Sequence, residues 1–131
     1  MKHLTFALII LLPLFGKAQA HLGATATEIK SNYPEKIFES GITSKGDRYL
    51  YTDMDLGTFY FCFDEQTGLT DMCLQIPKNM IALNTQVEIY NKKYVILSET
   101  SWKAYLEDGG MINIKLSYSE ELKTYMFIYT S

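Results

Sequence analysis

The stretch from Phe59 to Ile76 constrains this chain most. Phe59-Tyr60-Phe61-Cys62-Phe63 and Met72-Cys73-Leu74-Gln75-Ile76 are runs of aromatic and aliphatic residues on either side of Asp64-Glu65-Gln66-Thr67-Gly68. Such runs suit a pleated, half-buried surface, whereas Asp, Thr and Gly suit a tight turn. The pattern predicts a β-hairpin. Ile112 to Tyr129 lies over this stretch without a gap, placing Ile114 on Phe61, Leu116 on Phe63, Tyr125 on Met72 and Phe127 on Leu74. The chain therefore reads as a doubled hairpin unit.

Helices complete the unit. Thr25-Ala26-Thr27-Glu28 has capping-box form, Ala26, Ile29 and Tyr33 follow at helical spacing, and Pro34 stops the run. Met80 to Lys93 carries Leu83, Val87 and Tyr90 at the same period, with Lys92 and Lys93 at the end that favours positive charge. Within it, Thr85-Gln86-Val87-Glu88-Ile89 echoes Thr25-x-x-Glu28-Ile29. Strands are expected over 37–42, 48–52, 94–98, 102–106, 112–118 and 122–130, with turns at 44–47, 53–57, 108–110 and 119–121. The fold class is α+β: an antiparallel sheet of about eight strands from two α-β-β-β-β halves, 21–77 and 78–131, with two helices on one face.

The first twenty residues read as a signal peptide. Lys2 supplies the positive start, Leu4 to Phe15 the apolar run, and Ala18-Gln19-Ala20 the small-x-small cleavage form. A mature chain from His21 to Ser131 is one domain's worth of residues. Removing Lys2 and Lys17 leaves ten basic against fifteen acidic residues. The basic residues are scattered among acidic ones, so nucleic acid is not an expected partner. No later run is long and apolar enough to span a bilayer. The expected location is the periplasm or the extracellular space.

Both cysteines then lie in an oxidising compartment. If Phe59, Phe61 and Phe63 face the core, Tyr60 and Cys62 face out; Met72, Leu74 and Ile76 inward would leave Asp71, Cys73 and Gln75 outward. Cys62 and Cys73 would share a face of adjacent strands, and a disulfide between them is expected. Two unpaired thiols are the alternative.

The same residues resemble known families. The short helix ending in Tyr33-Pro34, the strands that follow and Phe63-Asp64-Glu65-Gln66-Thr67-Gly68-Leu69 resemble the PepSY family, whose final hairpin carries an Asp-x-x-Thr-Gly turn. The doubled helix-plus-four-strand plan is similar to that of β-lactamase inhibitory proteins, secreted inhibitors with two such units. Both resemblances imply an exported inhibitor or protein-binding module without catalysis.

Little in the chain suggests chemistry. His3 leaves with the leader and His21 becomes the amino terminus, so the folded part has no internal histidine for a catalytic triad or a His-based zinc site. Gly109-Gly110 lacks the Gly-Lys-Ser/Thr of a phosphate loop. Asp53-x-Asp55-x-Gly57 has only a fragment of calcium-loop spacing. Glu107 with Asp108 and Glu120 with Glu121 are adjacent turn carboxylates that point apart. No cofactor and no metal are expected.

Aromatic residues make up 14% of the chain; most are expected in the core, with Phe59, Phe61, Phe63 and Phe127 on the inward face, and the remainder are informative. Tyr60 alternates outward, and the overlay turns Met126 and Ile128 out beside Asn113 and Lys115. Helices on one side would leave this partly apolar side open, as contact surfaces often are. The candidate binding face is Tyr60, Lys115, Met126 and Ile128. The leading expectation is an exported, non-enzymatic protein- or peptide-binding or inhibitory module of unspecified partner. A small secreted carboxylate-based hydrolase would instead show converging carboxylates in a deep pocket, and a structural envelope component a self-associating edge strand.

Overall fold

The computed structural model describes residues 21–107 and 109–131; the expected signal peptide, 1–20, and Asp108 lie outside the described residues. The first helix, α1 (Ala26–Asn32), starts where the sequence says it should. Thr25 Oγ1 accepts from the Glu28 amide at 3.2 Å, and Glu28 Oε1 accepts from the Thr25 amide at 2.9 Å. That reciprocal bond satisfies two of the donors every helix start leaves open, and it holds the Glu28 carboxyl below the usual range. The second helix, α2 (Met80–Lys93), is capped by Asn79, whose Oδ1 accepts from Ala82 N at 2.8 Å. The Thr85…Glu88 echo lies inside α2 and starts nothing.

Eight strands follow in two runs: β1 (Glu39–Ile42), β2 (Arg48–Met54), β3 (Gly57–Phe63) and β4 (Thr70–Pro77) after α1, and β5 (Val95–Ser98), β6 (Ser101–Tyr105), β7 (Met111–Ser119) and β8 (Thr124–Thr130) after α2. They form one antiparallel sheet in the order β1-β2-β3-β4-β8-β7-β6-β5. Each run is a meander, and the two meet at the β4–β8 seam. Among the described residues this is an α+β fold with both helices on one face of the sheet.

Under the helices lies the core. Ile29 of α1 and Tyr90 of α2 are fully buried with Phe59, Phe61, Trp102, Ile112, Ile114 and Phe127. The Tyr90 ring meets Trp102 edge-on at 5.7 Å and Phe127 at 5.5 Å. Each large side chain so removed from water contributes about 1.5–3 kcal/mol. Trp102 Nε1 donates to Asn91 Oδ1 at 2.8 Å, which satisfies its one polar atom. The segment before α1 is also tied down: Leu22 enters the core, the Gly23 amide donates to Thr70 O at 2.7 Å, and the Thr70 amide donates to Ala24 O at 2.9 Å.

Strand β4 faces opposite to its apolar pattern. Cys73 and Gln75 are fully buried on the helix side, while Met72, Leu74 and Ile76 lie half-buried on the other side. Gln75 enters the core because α2 supplies a matching amide. Gln75 Nε2 donates to Gln86 Oε1 at 2.8 Å, Gln86 Nε2 donates back to Gln75 Oε1, and the Tyr129 hydroxyl donates to that same oxygen at 2.8 Å. The Tyr90 and Tyr129 hydroxyls lie 2.6 Å apart. A buried amide with its bonds made costs little, whereas an unpaired one is expensive.

Two further expectations fall with that parity. Phe61 pairs with Cys73 and Cys62 with Met72, so the two cysteines occupy opposite faces of the sheet and remain free thiols rather than a disulfide. The gapless overlay also fails in its second strand. Phe61 stands opposite Cys73 but Ile114 stands opposite Tyr129, so the hairpin spacings differ by an odd number of residues. Phe127 is therefore core whereas Leu74, its overlay partner, is not. A register shift at Cys62/Phe63 is the local irregularity in the first hairpin. Among the described residues, no helix is long and apolar enough to cross a membrane.

Candidate interaction face

Directly opposed residues of an antiparallel sheet share a face, so the register can be followed strand by strand. Glu39 pairs with Tyr51, Tyr51 with Tyr60, Tyr60 with Leu74, Leu74 with Ile128, Ile128 with Lys115 and Lys115 with Ser101. This row crosses seven of the eight strands on the side away from the helices. A parallel row runs through Tyr49, Cys62, Met72, Thr130, Asn113, Lys103 and Val95. Among the described residues, no helix covers either row.

Tyr60, Ile128 and Lys115 thus share one row. Met126, opposite Ser117, lies on the same face, two residues along β8 from Ile128. Tyr60, Met126 and Ile128 are half-buried by their neighbours on the face, and Lys115 is exposed. The sequence reading passed over Tyr49 and Tyr51. Their rings complete a cluster with Tyr60: Tyr51 stacks on Tyr60 at 5.2 Å, and Tyr49 lies 5.9 Å from Tyr60 and 6.0 Å from Tyr51. The Tyr49-Leu50-Tyr51-Thr52 alternation was the signal that could have found them. Gly41 of β1 lies beneath the Tyr49 ring, and a Cβ there would collide with the ring tip.

Electrostatically the face is divided. The Glu39 carboxylate beside the Tyr51 hydroxyl raises its pKa, and Asp53 accepts from Thr58 Oγ1 at 2.7 Å. Lys103 and Lys115 lie on the far side of the seam. Burial raises the Tyr60 hydroxyl and pushes the Cys62 thiol up to about 11, so Cys62 is protonated at neutral pH and a poor nucleophile.

Other surfaces are less organised for chemistry. A cleft of about 690 Å³ runs between β1, β2 and the β3–β4 turn, with Arg48, Tyr49, Asp64 and Glu65 among its walls. Asp64 spends its carboxylate on the turn, accepting from the Gln66 and Thr67 amides at 3.1 and 2.9 Å, which holds its pKa down. A second cleft of about 490 Å³ is bounded by Leu22, Thr67, Leu69, Leu106 and Met111. Among the described residues, no three His, Cys, Asp or Glu side chains gather as a metal site would need. Edge strand β5 exposes Val95, Ile96 and Leu97. It is four residues long with a register shift at Ile96/Ser98, and both features limit strand addition. Searches of protein-family models, curated proteins and solved structures return no match to this chain.

Proposed function

We propose that this chain is an exported, non-enzymatic module that binds a protein or peptide through the open face of its sheet. The observation that carries this reading is the row Glu39–Tyr51–Tyr60–Leu74–Ile128–Lys115, which no helix among the described residues covers, with stacked tyrosines at one end, aliphatic residues at the seam and a lysine at the other. Tyrosine presents large, stiff contact area with a polar tip, and such anchors dominate many interfaces. The resemblance to PepSY domains and to secreted inhibitors points the same way, and export follows from the leader-like first twenty residues.

Site-specific photo-cross-linking tests the face. A cross-linker at position 60 should capture a partner from envelope or culture fluid, whereas one at Glu88, exposed on α2, should not. Tyr60→Ala should weaken binding by about 2 kcal/mol and leave the folded spectrum unchanged. Capture from Glu88 alone would overturn the reading. Intact-mass measurement of exported protein should begin at His21.

A further inference from the structure

The charges of the open face are sorted by side. At the regular ladder positions the acidic residues, Glu39 and Asp53, lie on β1 and β2 beside the tyrosine cluster; the basic ones, Lys103 and Lys115, lie on β6 and β7. Between them Tyr60, Met72, Leu74, Ile76, Met126 and Ile128 carry no charge, while Asp47, just before β2, and Asp71, at the irregular start of β4, add acidic charge near Cys62 on the acidic side of the seam. A surface acidic at one side, basic at the other and apolar between them is complementary to itself after a half-turn.

We propose that a second copy of this chain occupies this face, the two sheets packing open face to open face about a two-fold axis parallel to the strands along the β4–β8 seam. This rests on the open-face reading above and names its partner. The rotation lays β3 of one copy over β7 of the other and β2 over β6. Lys115 then lies over the partner copy's Tyr60, and Lys103 over its Tyr49, with Glu39 and Asp53 flanking the same tyrosines. At the seam, Leu74 meets Ile128 of the other copy. Lysine over a tyrosine ring beside a carboxylate is favourable twice, through the ring face and through the charge. A two-fold axis across the strands would instead set lysines against lysines and acids against acids. Charge selects the first arrangement.

Size permits it as well. Eight strands at about 4.8 Å spacing and seven residues at about 3.3 Å rise give a face of roughly 34 by 23 Å, on the order of 800 Å². That is about what each partner contributes to a standard stable interface. Open faces of sheets pack in this way in sandwiches, inclined by about 30°.

The test is sedimentation equilibrium of mature protein with charge-reversed variants whose folding is checked by circular dichroism. Wild type should show a concentration-dependent dimer. The all-acidic face, K103E with K115E, and the all-basic face, E39K with D53K, should each self-associate about tenfold or more weakly. Mixing the two should restore a one-to-one dimer, and adding Ile128→Arg to both should abolish it. A wild type monomeric at every concentration, or a dimer indifferent to all these changes, overturns the second copy as occupant. In the first case, capture of a different protein through position 60 would leave the open-face reading standing; in the second, loss of the dimer on Ile96→Lys would move association to the β5 edge.

Discussion

The two faces of this sheet use the same kinds of residue to opposite ends. On the helix side, Tyr90 and Tyr129 are fully buried and their hydroxyls close on each other and on Gln75 and Gln86. On the open side, Tyr49, Tyr51 and Tyr60 lean on one another and remain in reach of water. A phenol in a dry core must find its partner inside the fold, because an unmade bond there costs about 1–3 kcal/mol. A phenol at the surface can use water until a partner replaces it. Truncation should therefore cost folding on one face and binding on the other.

The largest expected divergence is in alkali. Burial holds Tyr90 and Tyr129 protonated well above the ordinary tyrosine value and pushes Tyr94 up to about 12. In the unfolded chain they ionise near pH 10, so above that the unfolded state binds fewer protons than the folded one. Stability should fall from about pH 10 upward through the folded values. Tyrosinate absorbance from Tyr90 and Tyr129, assigned with Tyr→Phe variants, should rise together with loss of the near-ultraviolet circular dichroism. Ionisation well before unfolding would mean these rings are not dry.

Next comes Trp102→Ala, expected to cost about 3–5 kcal/mol in urea unfolding, against less than about 1 kcal/mol for Tyr60→Ala. Tyr129→Phe should cost about 1–3 kcal/mol by removing a donor to Gln75, whereas Tyr51→Phe should stay within about 0.5 kcal/mol. Equal losses in either pair would erase the distinction between faces. The smallest effect is at Gly41: alanine there should only tilt the Tyr49 ring, altering stability by about 0.5 kcal/mol or less. Weaker binding with unchanged unfolding would be the signature.

What could be read from the sequence was local. The capping box at Thr25 and Glu28, the aromatic runs of β3 and β8 and the length of α2 follow from short-range preference and period, and the α+β class follows from their order. The parity of β4 was not legible. Its apolar residues, Met72, Leu74 and Ile76, alternate properly, yet the core takes the other set because Gln86 and Tyr129, distant in sequence, satisfy Gln75. A glutamine on a helix reads as solvated until its partner is known. Hairpin spacing failed for a related reason: the shift at Cys62/Phe63 gives the two hairpins different parity, and no local rule announced it.

Thiol alkylation of the folded, mature protein in dilute solution tests the separation of faces most directly, because β3 and β4 set one cysteine on each. Cys62, half-buried on the open face, should take one adduct slowly, in keeping with its raised pKa, and faster as pH rises toward 11. Cys73, buried beneath the helices, should react only after unfolding, bringing the total to two. No adduct even in denaturant without reductant, or equal labelling of both cysteines in the folded state, would contradict the account.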